Sequence, residues 1–515
     1  MTNIDWFVVI AYLSGMLVIA ALIGRGQRSR KDYYLGGQNM SSTALATSTI
    51  ATQCSTNSLL GAPAFVGFAA GGGMIWLQYE LAVPLAMLAL MILFRPMRAA
   101  SHISVYAFLE DRLGRGARLV ASSAFQIFRG VATGVTVYGV ALVVGLLVDV
   151  SYTQAVVILM GATIAYDVLG GMRAVVVSDV VQVLLIVAAV AASLGLLVME
   201  IGSVGPLFAA RTQALDFSLG LDGQSNYGLW PMLIGGLFLY AAYYGCDQSQ
   251  AQRVLSARDE EGTQRVLLLN GLLRFPLVLL YCLLGLALAA YATQSDLLTQ
   301  LPTNADGAPN INLVFPIFVL ETFPAGLVGL VMVGIFAAAM SSIDSALNSL
   351  SAATVEDYVG SRGEHSERRL FVYSKLATLG WGLFAVVFSY QVERIAPTVL
   401  EAINKIGSMA NGPLLALFVI ALVRPDVGQQ RAIVAFFGGL IANGALWLFA
   451  PEVSWLWWNV SGFAASIGIA TLMSGTAFPS GMAALYWPPR SAAVTLLGMT
   501  GLIFGVCVAF TALSR

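Results

Sequence analysis

The chain contains a succession of long apolar runs, and their length is the feature that most restricts its fold. Each run has roughly 17–25 residues, which is long enough for a helix to cross the hydrocarbon core of a bilayer. Backbone polar groups find no water in that core, so each run is expected to be helical. We predict fourteen such helices, at residues 5–24, 41–70, 74–94, 119–148, 153–169, 174–199, 229–247, 266–292, 324–356, 370–391, 396–423, 431–449, 454–478 and 492–513. A shorter run, 312–322, is expected to lie on the membrane surface.

Composition supports an all-α polytopic membrane protein and excludes several other classes. Charged residues make up 10% of the 515 residues, whereas soluble domains carry about 25%. The net charge of −1 and the lack of a basic tail give no indication of a nucleic-acid partner. The four cysteines are scattered through apolar segments without a Cys-x-x-Cys pair, so neither a disulfide framework nor a zinc site is indicated. With two histidines, both in predicted loops, and no nucleophile motif, we do not expect an enzyme.

The distribution of basic residues predicts the orientation. Most of the 26 Lys and Arg residues lie in the loops on one side of the membrane, at 25–40, 95–118, 170–173, 248–265, 357–369, 424–431 and 479–491. The positive-inside rule makes that side cytoplasmic, so both termini are predicted to face away from the cytoplasm, in a cell (plasma or inner) membrane. The first run lacks a basic n-region and a cleavage site, and we interpret it as an uncleaved helix.

The second predicted helix contains an unusual polar stretch, TIATQCSTNSLLGAP, at residues 49–63. Its hydroxyl and amide side chains are Thr49, Thr52, Gln53, Ser55, Thr56, Asn57 and Ser58. Interhelical packing explains one or two such residues, but seven within ten positions favour a broken helix that lines a protein cavity. We therefore expect an interruption near residues 51–58, where freed carbonyls and hydroxyls suit a small hard cation or a polar solute.

A second polar stretch lies in the ninth predicted helix, at residues 334–358. Ser341, Ser345 and Asn348 share one face of this helix. Asp344 places a carboxylate between them, and a carboxylate inside a membrane helix indicates function by default. Two polar faces on helices that are distant in sequence suggest one shared site.

Five short motifs occur in order along the chain: YYLGGQNMS (33–41), GGMRAVVVSDVVQ (170–182), DQSQAQRVLSA (247–257), AAAMSSIDSALNS (337–349) and NGPLLALF (411–418). With these motifs, residues 5–425 resemble the sodium/solute symporter family, whose members carry sugars, proline, pantothenate, sialic acid, iodide and monocarboxylates. The resemblance implies a LeuT-like fold with two inverted five-helix repeats and Na⁺ as the coupling ion. It divides the chain into an N-terminal helix and loop (1–40), a first repeat (41–199), a second repeat (229–423) and C-terminal helices (424–515). It also implies a solute partner, contact with membrane lipid and a monomeric carrier.

The resemblance assigns the principal sodium site to two carbonyls of the broken helix, a third carbonyl and two hydroxyls. In this chain these are Ala51, Cys54, Ala338, Ser341 and Ser342. A second sodium site, present in some members, would use Asp179 and Ser345, with Asp344 in a place where a hydroxyl is usual. Asp344 would then strengthen that site or make it proton-linked. The alternatives for Asp179 are pairing with Arg173 or capping of the sixth helix.

The solute cavity is expected to be lined by Thr52, Gln53, Ser55, Ser58, Glu80, Arg129 and Asp247. An arginine inside the membrane needs an anion, which for Arg129 is either the carboxylate of the solute or a structural partner, Glu80 or Asp247. Arg274 is expected to be a cytoplasmic gate or a snorkelling residue. The main prediction is a sodium-driven importer of a carboxylate-bearing solute (sialic acid, a monocarboxylate or an amino acid). One alternative is a sodium/sugar or polyol symporter, since Glu80 falls where sodium/sugar members hold the sugar. The other alternative is a transporter-like membrane sensor.

Overall fold

The structure, a computed structural model, describes residues 1–54, 56–223, 225–303, 307–360, 365–395, 399–424, 426–475 and 487–514. These residues form helices and no β-strand; their only β-type contacts are two isolated bridges, Met40 with Ala257 and Thr303 with Pro309. The α-helices are α1 Asn3–Gly24, α2 Arg30–Leu35, α3 Ser42–Gln53, α4 Thr56–Phe68, α5 Ala82–Ala99, α6 Ala107–Leu113, α7 Arg115–Val148, α8 Tyr152–Ile201, α9 Gly236–Cys246, α10 Gln248–Leu255, α11 Glu260–Ala292, α12 Val314–Thr322, α13 Leu327–Ala353, α14 Glu367–Ile395, α15 Val399–Val423, α16 Gln429–Phe449, α17 Trp457–Ser474 and α18 Arg490–Leu513. Short 3-10 helices cover Gly36–Gln38, Met74–Leu81, Gly205–Phe208, Leu297–Gln300 and Ile311–Leu313, and π-helical turns cover Pro231–Gly235 and Thr354–Val359.

Within the described part of the chain, nine helices are long and apolar enough to cross a membrane. Four shorter apolar helices accompany them, at Ser58–Phe68, Pro231–Cys246, Ile311–Thr322 and Gly407–Val423. Several predicted segments also begin or end in a different place. For example, α11 starts at Glu260 rather than 266, because its first two turns carry charged side chains that an apolar run excludes.

The second predicted helix is broken, as expected from its polar stretch. α3 ends at Gln53, Cys54 has the non-helical angles φ −80° and ψ 57°, and α4 starts at Thr56. Hydroxyls near the break replace the missing helical bonds: the Ser58 hydroxyl donates to the Gln53 carbonyl oxygen at 3.4 Å. Pro63, inside α4, has no N–H to donate, which further weakens the helix on that side.

The fifth and sixth predicted helices form one element, α8, with a sharp kink at Gly171. Gly171 has φ +53°, a left-handed conformation that glycine adopts without strain. A Cβ atom there would lie 2.6 Å from the ring of Tyr33 and 2.8 Å from its carbonyl oxygen. Only glycine therefore allows α2 to pack this closely against the kink.

The core of the molecule is α13, which is buried almost along its whole length and packs against α8, α7, α3 and α10. The position of α10 corrects the prediction of a cytoplasmic loop at 248–265. All eight residues of α10 are buried, including Arg253, which the orientation argument counted as a loop residue. The segment is polar because its side chains bond to neighbouring helices, not because it faces water.

Candidate ion and solute sites

The break in the second predicted helix faces the polar stretch of α13. The Ser341 hydroxyl donates to the carbonyl oxygen of Ala51 at 3.1 Å, and the Ala338 carbonyl oxygen lies 3.2 Å away. The Ser342 hydroxyl donates to the Thr52 carbonyl oxygen at 2.9 Å. Four of the five predicted ligands of the principal sodium site thus meet around uncharged oxygens, the donor type that suits a small hard cation.

Cys54, the fifth predicted ligand, is buried at the end of α3. Among the described residues its only backbone N–H bond is to the Ile50 carbonyl oxygen, at 2.8 Å, and it makes no hydrogen bond to the two serines. Thr52 supplies the carbonyl nearest to Ser342 instead. Thr52 was predicted as a solute residue alone, because that prediction rests on its side chain and not on its carbonyl oxygen.

The three residues predicted for a second sodium site also come together. Asp179 Oδ2 accepts a hydrogen bond of 2.5 Å from Ser48 and lies 3.4 Å from Arg253 Nη2. Ser345 Oγ accepts a bond from the same Arg253 nitrogen and lies 3.1 Å from Asp344 Oδ1. Neither alternative for Asp179 holds, since its charged partner is Arg253 and not Arg173, and its side chain does not cap a helix.

Arg253, which the sequence analysis missed, holds this region together. The side chain is fully buried, and its Nε donates to the Ser48 hydroxyl at 2.7 Å while Nη1 donates to the Ser249 carbonyl oxygen. The signal was present in the motif DQSQAQRVLSA, but a polar segment between two apolar runs looks like a loop.

Around Arg253 the buried carboxylates outnumber the buried cation. Asp344 and Asp179 are each fully buried with one oxygen that has no hydrogen-bond partner in the described residues. Asp167, also missed by the sequence analysis, is a third; one of its oxygens accepts a 3.3 Å bond from Asn348 and the other has no partner there. Unpaired buried acceptors are costly, and a cation or a proton would relieve them.

A cavity of about 510 Å³ lies beside the break, within the usual range for a small-molecule site. Five predicted solute residues line it: Thr52, Gln53, Ser58, Arg129 and Asp247. Ser55 lies outside the described residues, and Glu80 lies behind the wall, where it pairs with Arg274. The rest of the lining is mainly aromatic and aliphatic, so the few charged groups dominate its electrostatics.

One ion pair on the cavity wall joins Arg129 to Asp247. The two side chains are 20% and 15% exposed, and the guanidinium also lies 5.2 Å from the ring centre of Tyr243. The other oxygen of Asp247 accepts bonds from the Ser249 backbone N–H at 2.8 Å and hydroxyl at 2.5 Å. Of the partners considered for Arg129, the structure shows Asp247 and not Glu80.

A second ion pair joins Arg274 to Glu80 at 2.9 Å. The same Arg274 nitrogen contacts the Tyr240 hydroxyl at 2.7 Å, and the guanidinium lies 4.4 Å from that ring centre. Arg274 Nε and Nη1 and Glu80 Oε2 are buried without hydrogen-bond partners in the described residues. The expectation of a snorkelling Arg274 is wrong, because the residue is 6% exposed and lines the cavity. A predicted helix start at 266 placed it too close to the membrane surface.

Comparison with known proteins identifies the family of this chain. The model of the Sodium:solute symporter family matches residues 33–439. The chain belongs to the sodium:solute symporter family. A sodium-coupled monocarboxylate transporter 1 from Xenopus laevis is 28% identical over 88% of this chain and 74% of its own length. A sodium/sialic acid symporter, NanT, from Aliivibrio fischeri is 26% identical over 89% of this chain and 90% of its own. A putative sodium-dependent multivitamin transporter from Drosophila melanogaster is 29% identical over 82% and 70%.

Solved structures show the fold. A Na⁺-coupled sialic acid symporter in a substrate-bound outward-open state has a TM-score of 0.82 at 22% identity, covering 93% of this chain and all of its own. A closed structure of Mhp1, a nucleobase-cation-symport-1 family transporter, has a TM-score of 0.52 at 12% identity over 88% and 95%. The predicted all-helical, LeuT-like fold is confirmed.

The family membership settles the general activity. The protein is a sodium-coupled solute symporter and a multi-pass integral membrane protein, with Na⁺ as its coupling ion. The related proteins are transporters and not enzymes, as expected from the sequence. The domain boundaries, the orientation of the termini, the ligand residues and the solute stay predictions.

Proposed function

We propose that this symporter imports a carboxylate-bearing solute together with Na⁺. The observation that carries the proposal is Arg274, a guanidinium at the cavity wall with two nitrogens that have no partner among the described residues. These two nitrogens, Nε and Nη1, lie on different edges of the guanidinium, so each could donate one hydrogen bond, and an ionised carboxylate is the acceptor that makes such a charge-assisted bond strongest. Two of the relatives are described as carriers of monocarboxylates and of sialic acid, which are carboxylic acids.

Arg129 gives the proposal a second element. Its pair with Asp247 is partly exposed to the cavity, so a carboxylate that enters can compete for the guanidinium. Arg129 and Arg274 are each already neutralised by an acid. The empty cavity is therefore close to electrically neutral, and the solute need not enter a site with a large unbalanced charge.

The principal sodium site in this proposal is formed by Ala51, Cys54, Ala338, Ser341 and Ser342. It lies next to the cavity, because the carbonyl of Thr52 accepts from Ser342 and both residues also line the cavity. Ion and solute would therefore hold the same broken helix in one conformation, which couples their binding. Asp179, Ser345 and Asp344 are proposed as a second cation site, which Na⁺ can enter only if Arg253 turns away from Ser345.

The remaining proposals concern the whole carrier. Both termini would lie outside the cytoplasm, and transport would run inwards with the sodium gradient. The functional unit would be the monomer, with its two repeats at 41–199 and 229–423 enclosing the cavity. The distribution of Lys and Arg residues supports the orientation, and the family fold supports the two repeats.

A neutral sugar or polyol is the second candidate, and one observation favours it. Glu80 Oε2 is a buried acceptor without a partner in the described residues, and a solute hydroxyl could donate to it if Arg274 moved aside and opened the wall in front of Glu80. Arg274 would then donate to another hydroxyl of the same ring. The two candidates differ in whether the solute needs a negative charge.

The test is uptake into proteoliposomes with a panel of lactate, nicotinate, N-acetylneuraminate, proline and galactose, under an inward Na⁺ gradient or with K⁺ in place of Na⁺. We expect Na⁺-dependent accumulation of at least one carboxylate, and its loss in Arg274→Gln. Arg265→Gln is the matched control, because Arg265 is exposed and pairs with Glu261 on the same helix, away from the cavity. Accumulation of galactose alone, or carboxylate uptake that survives Arg274→Gln, would contradict the proposal.

A further inference from the structure

Two aromatic side chains from outside the repeat helices reach the solute cavity. Tyr227 belongs to the segment between α8 and α9, and Trp455 to the turn before α17. All solute residues predicted from the sequence lie within 41–199 or 229–423, whereas these two do not. The cavity therefore has a wall that neither repeat supplies, which we name the outer wall.

Tyr227 is held firmly in this wall. Its ring centre lies 5.0 Å from that of Phe65 in an edge-to-face arrangement and 6.2 Å from that of Trp76. The Tyr227 carbonyl oxygen accepts a 2.5 Å bond from Gln78, a fully buried residue that also accepts from the Asp216 backbone at 3.1 Å. Gln78 thus joins the backbone of Tyr227 to that of Asp216 through a buried side chain, which indicates a preorganised surface.

Trp455 lies on the same unit as Tyr227. The Ser454 backbone N–H donates to the Gly220 carbonyl oxygen, and the Ser454 hydroxyl donates to the Asn226 carbonyl oxygen, both at 2.8 Å. The turn before α17 and the segment before α9 are thus bonded together. Trp455 is 6% exposed, and its indole nitrogen has no hydrogen-bond partner among the described residues. A buried indole N–H usually has a partner, and an acceptor atom of a bound solute would supply one.

We propose that Tyr227 and Trp455 select the body of the solute, and that they favour a carboxylate attached to a ring over a short-chain carboxylate. Aromatic faces bind flat or C–H-rich rings through offset or edge-to-face contacts, beyond the effect of burial alone. The arginine pairs and the outer wall line one cavity of about 510 Å³, which is large for a solute of a few atoms. The carboxylate part rests on the proposed function, but the ring preference does not.

The experiment compares Na⁺-dependent binding of benzoate, acetate and galactose to the purified protein by calorimetry. Benzoate and acetate both have a carboxylate, whereas galactose has a ring but no carboxylate. The variants are Trp455→Leu and Tyr227→Leu. The matched control is Trp457→Leu, two residues further on at the start of α17, because Trp457 bonds to the Leu219 carbonyl oxygen and does not line the cavity. Melting temperatures measured without solute show whether each variant is folded. Trp455→Phe is included as a variant that keeps an aromatic ring at this position.

We expect benzoate to bind more tightly than acetate, and each cavity variant to weaken benzoate by about three- to tenfold while acetate changes little, as the loss of one aromatic contact predicts. Equal effects on benzoate and acetate, or no effect on benzoate, would overturn the proposal. If only galactose binds, the proposed carboxylate function is wrong. The ring preference then stands if Trp455→Leu weakens galactose binding by a similar factor, and it is overturned if galactose binding is unchanged. Failure of all three to bind overturns both proposals.

Discussion

Replacing Arg129 by Gln tests whether the arginine serves the fold, the solute or both. In the structure its charge is balanced by Asp247, with the ring of Tyr243 beside the guanidinium. Gln removes the positive charge and leaves Asp247 facing the cavity, where among the described residues it keeps the two bonds from Ser249. The single substitution therefore strands a carboxylate, and the double variant with Asp247→Asn does not.

The magnitude follows from the burial of the pair. Breaking a fully buried pair typically costs about 3–5 kcal/mol, whereas an exposed pair contributes at most about 1 kcal/mol. The side chains of Arg129 and Asp247 are 20% and 15% exposed, and Ser249 continues to stabilise the carboxylate. We therefore expect a loss of about 1–3 kcal/mol in the single variant, and recovery of most of it in the double variant.

The assay is the melting temperature of the purified protein in Na⁺, measured for the wild type, both single variants and the double variant. Solute binding is measured on the same four proteins. If the arginine serves both roles, the double variant regains stability but does not bind the carboxylate. A single variant that melts like the wild type and binds its solute normally would refute the reasoning.

Two further predictions concern the ions. Ser341→Ala and Ser342→Ala should each raise the Na⁺ concentration needed for half-maximal uptake, with little change in solute affinity at saturating Na⁺; unchanged Na⁺ activation in both would rule out the proposed principal site. If Asp179 belongs to a second sodium site, the wild type should show a Na⁺ Hill coefficient above one and Asp179→Asn a coefficient near one, and a wild-type value near one would leave only the principal site.

The spans and the helix break could be predicted from the sequence because each follows from a local requirement. A long apolar run must be helical in a bilayer, and seven polar side chains in ten positions must find partners inside the protein. The two polar faces suggested one shared site, but the assignment of Ser341 and Ser342 to the broken helix required the family resemblance, since no local rule relates α3 to α13. The structure brings these residues within hydrogen-bond distance of Ala51 and Thr52.

Arg253 was not recognisable from the sequence, because a buried polar helix and a surface loop have similar compositions. α10 carries three glutamines, one serine and an arginine within eight residues, and every one of them is buried. Gln252 donates to the Asn348 side chain at 2.8 Å and to the Tyr34 carbonyl oxygen at 2.6 Å. Only the tertiary fold shows that these bonds replace water.

The pairing of the buried arginines shows a limit of a different kind. Each of the three buried arginines has an acid as partner: Asp247 for Arg129, Asp179 for Arg253 and Glu80 for Arg274. Asp247 is the N-cap residue of α10. A buried arginine in a membrane protein pairs with an acid or with backbone carbonyls, so the existence of partners was predictable. The identity of each partner was not predictable. Any nearby acid lowers the cost of burying an arginine, and the sequence does not show which acid is nearest in space. The site for the solute can therefore be recognised only after the pairs are known, by the guanidinium nitrogens that have no acid as partner. Two such nitrogens belong to Arg274.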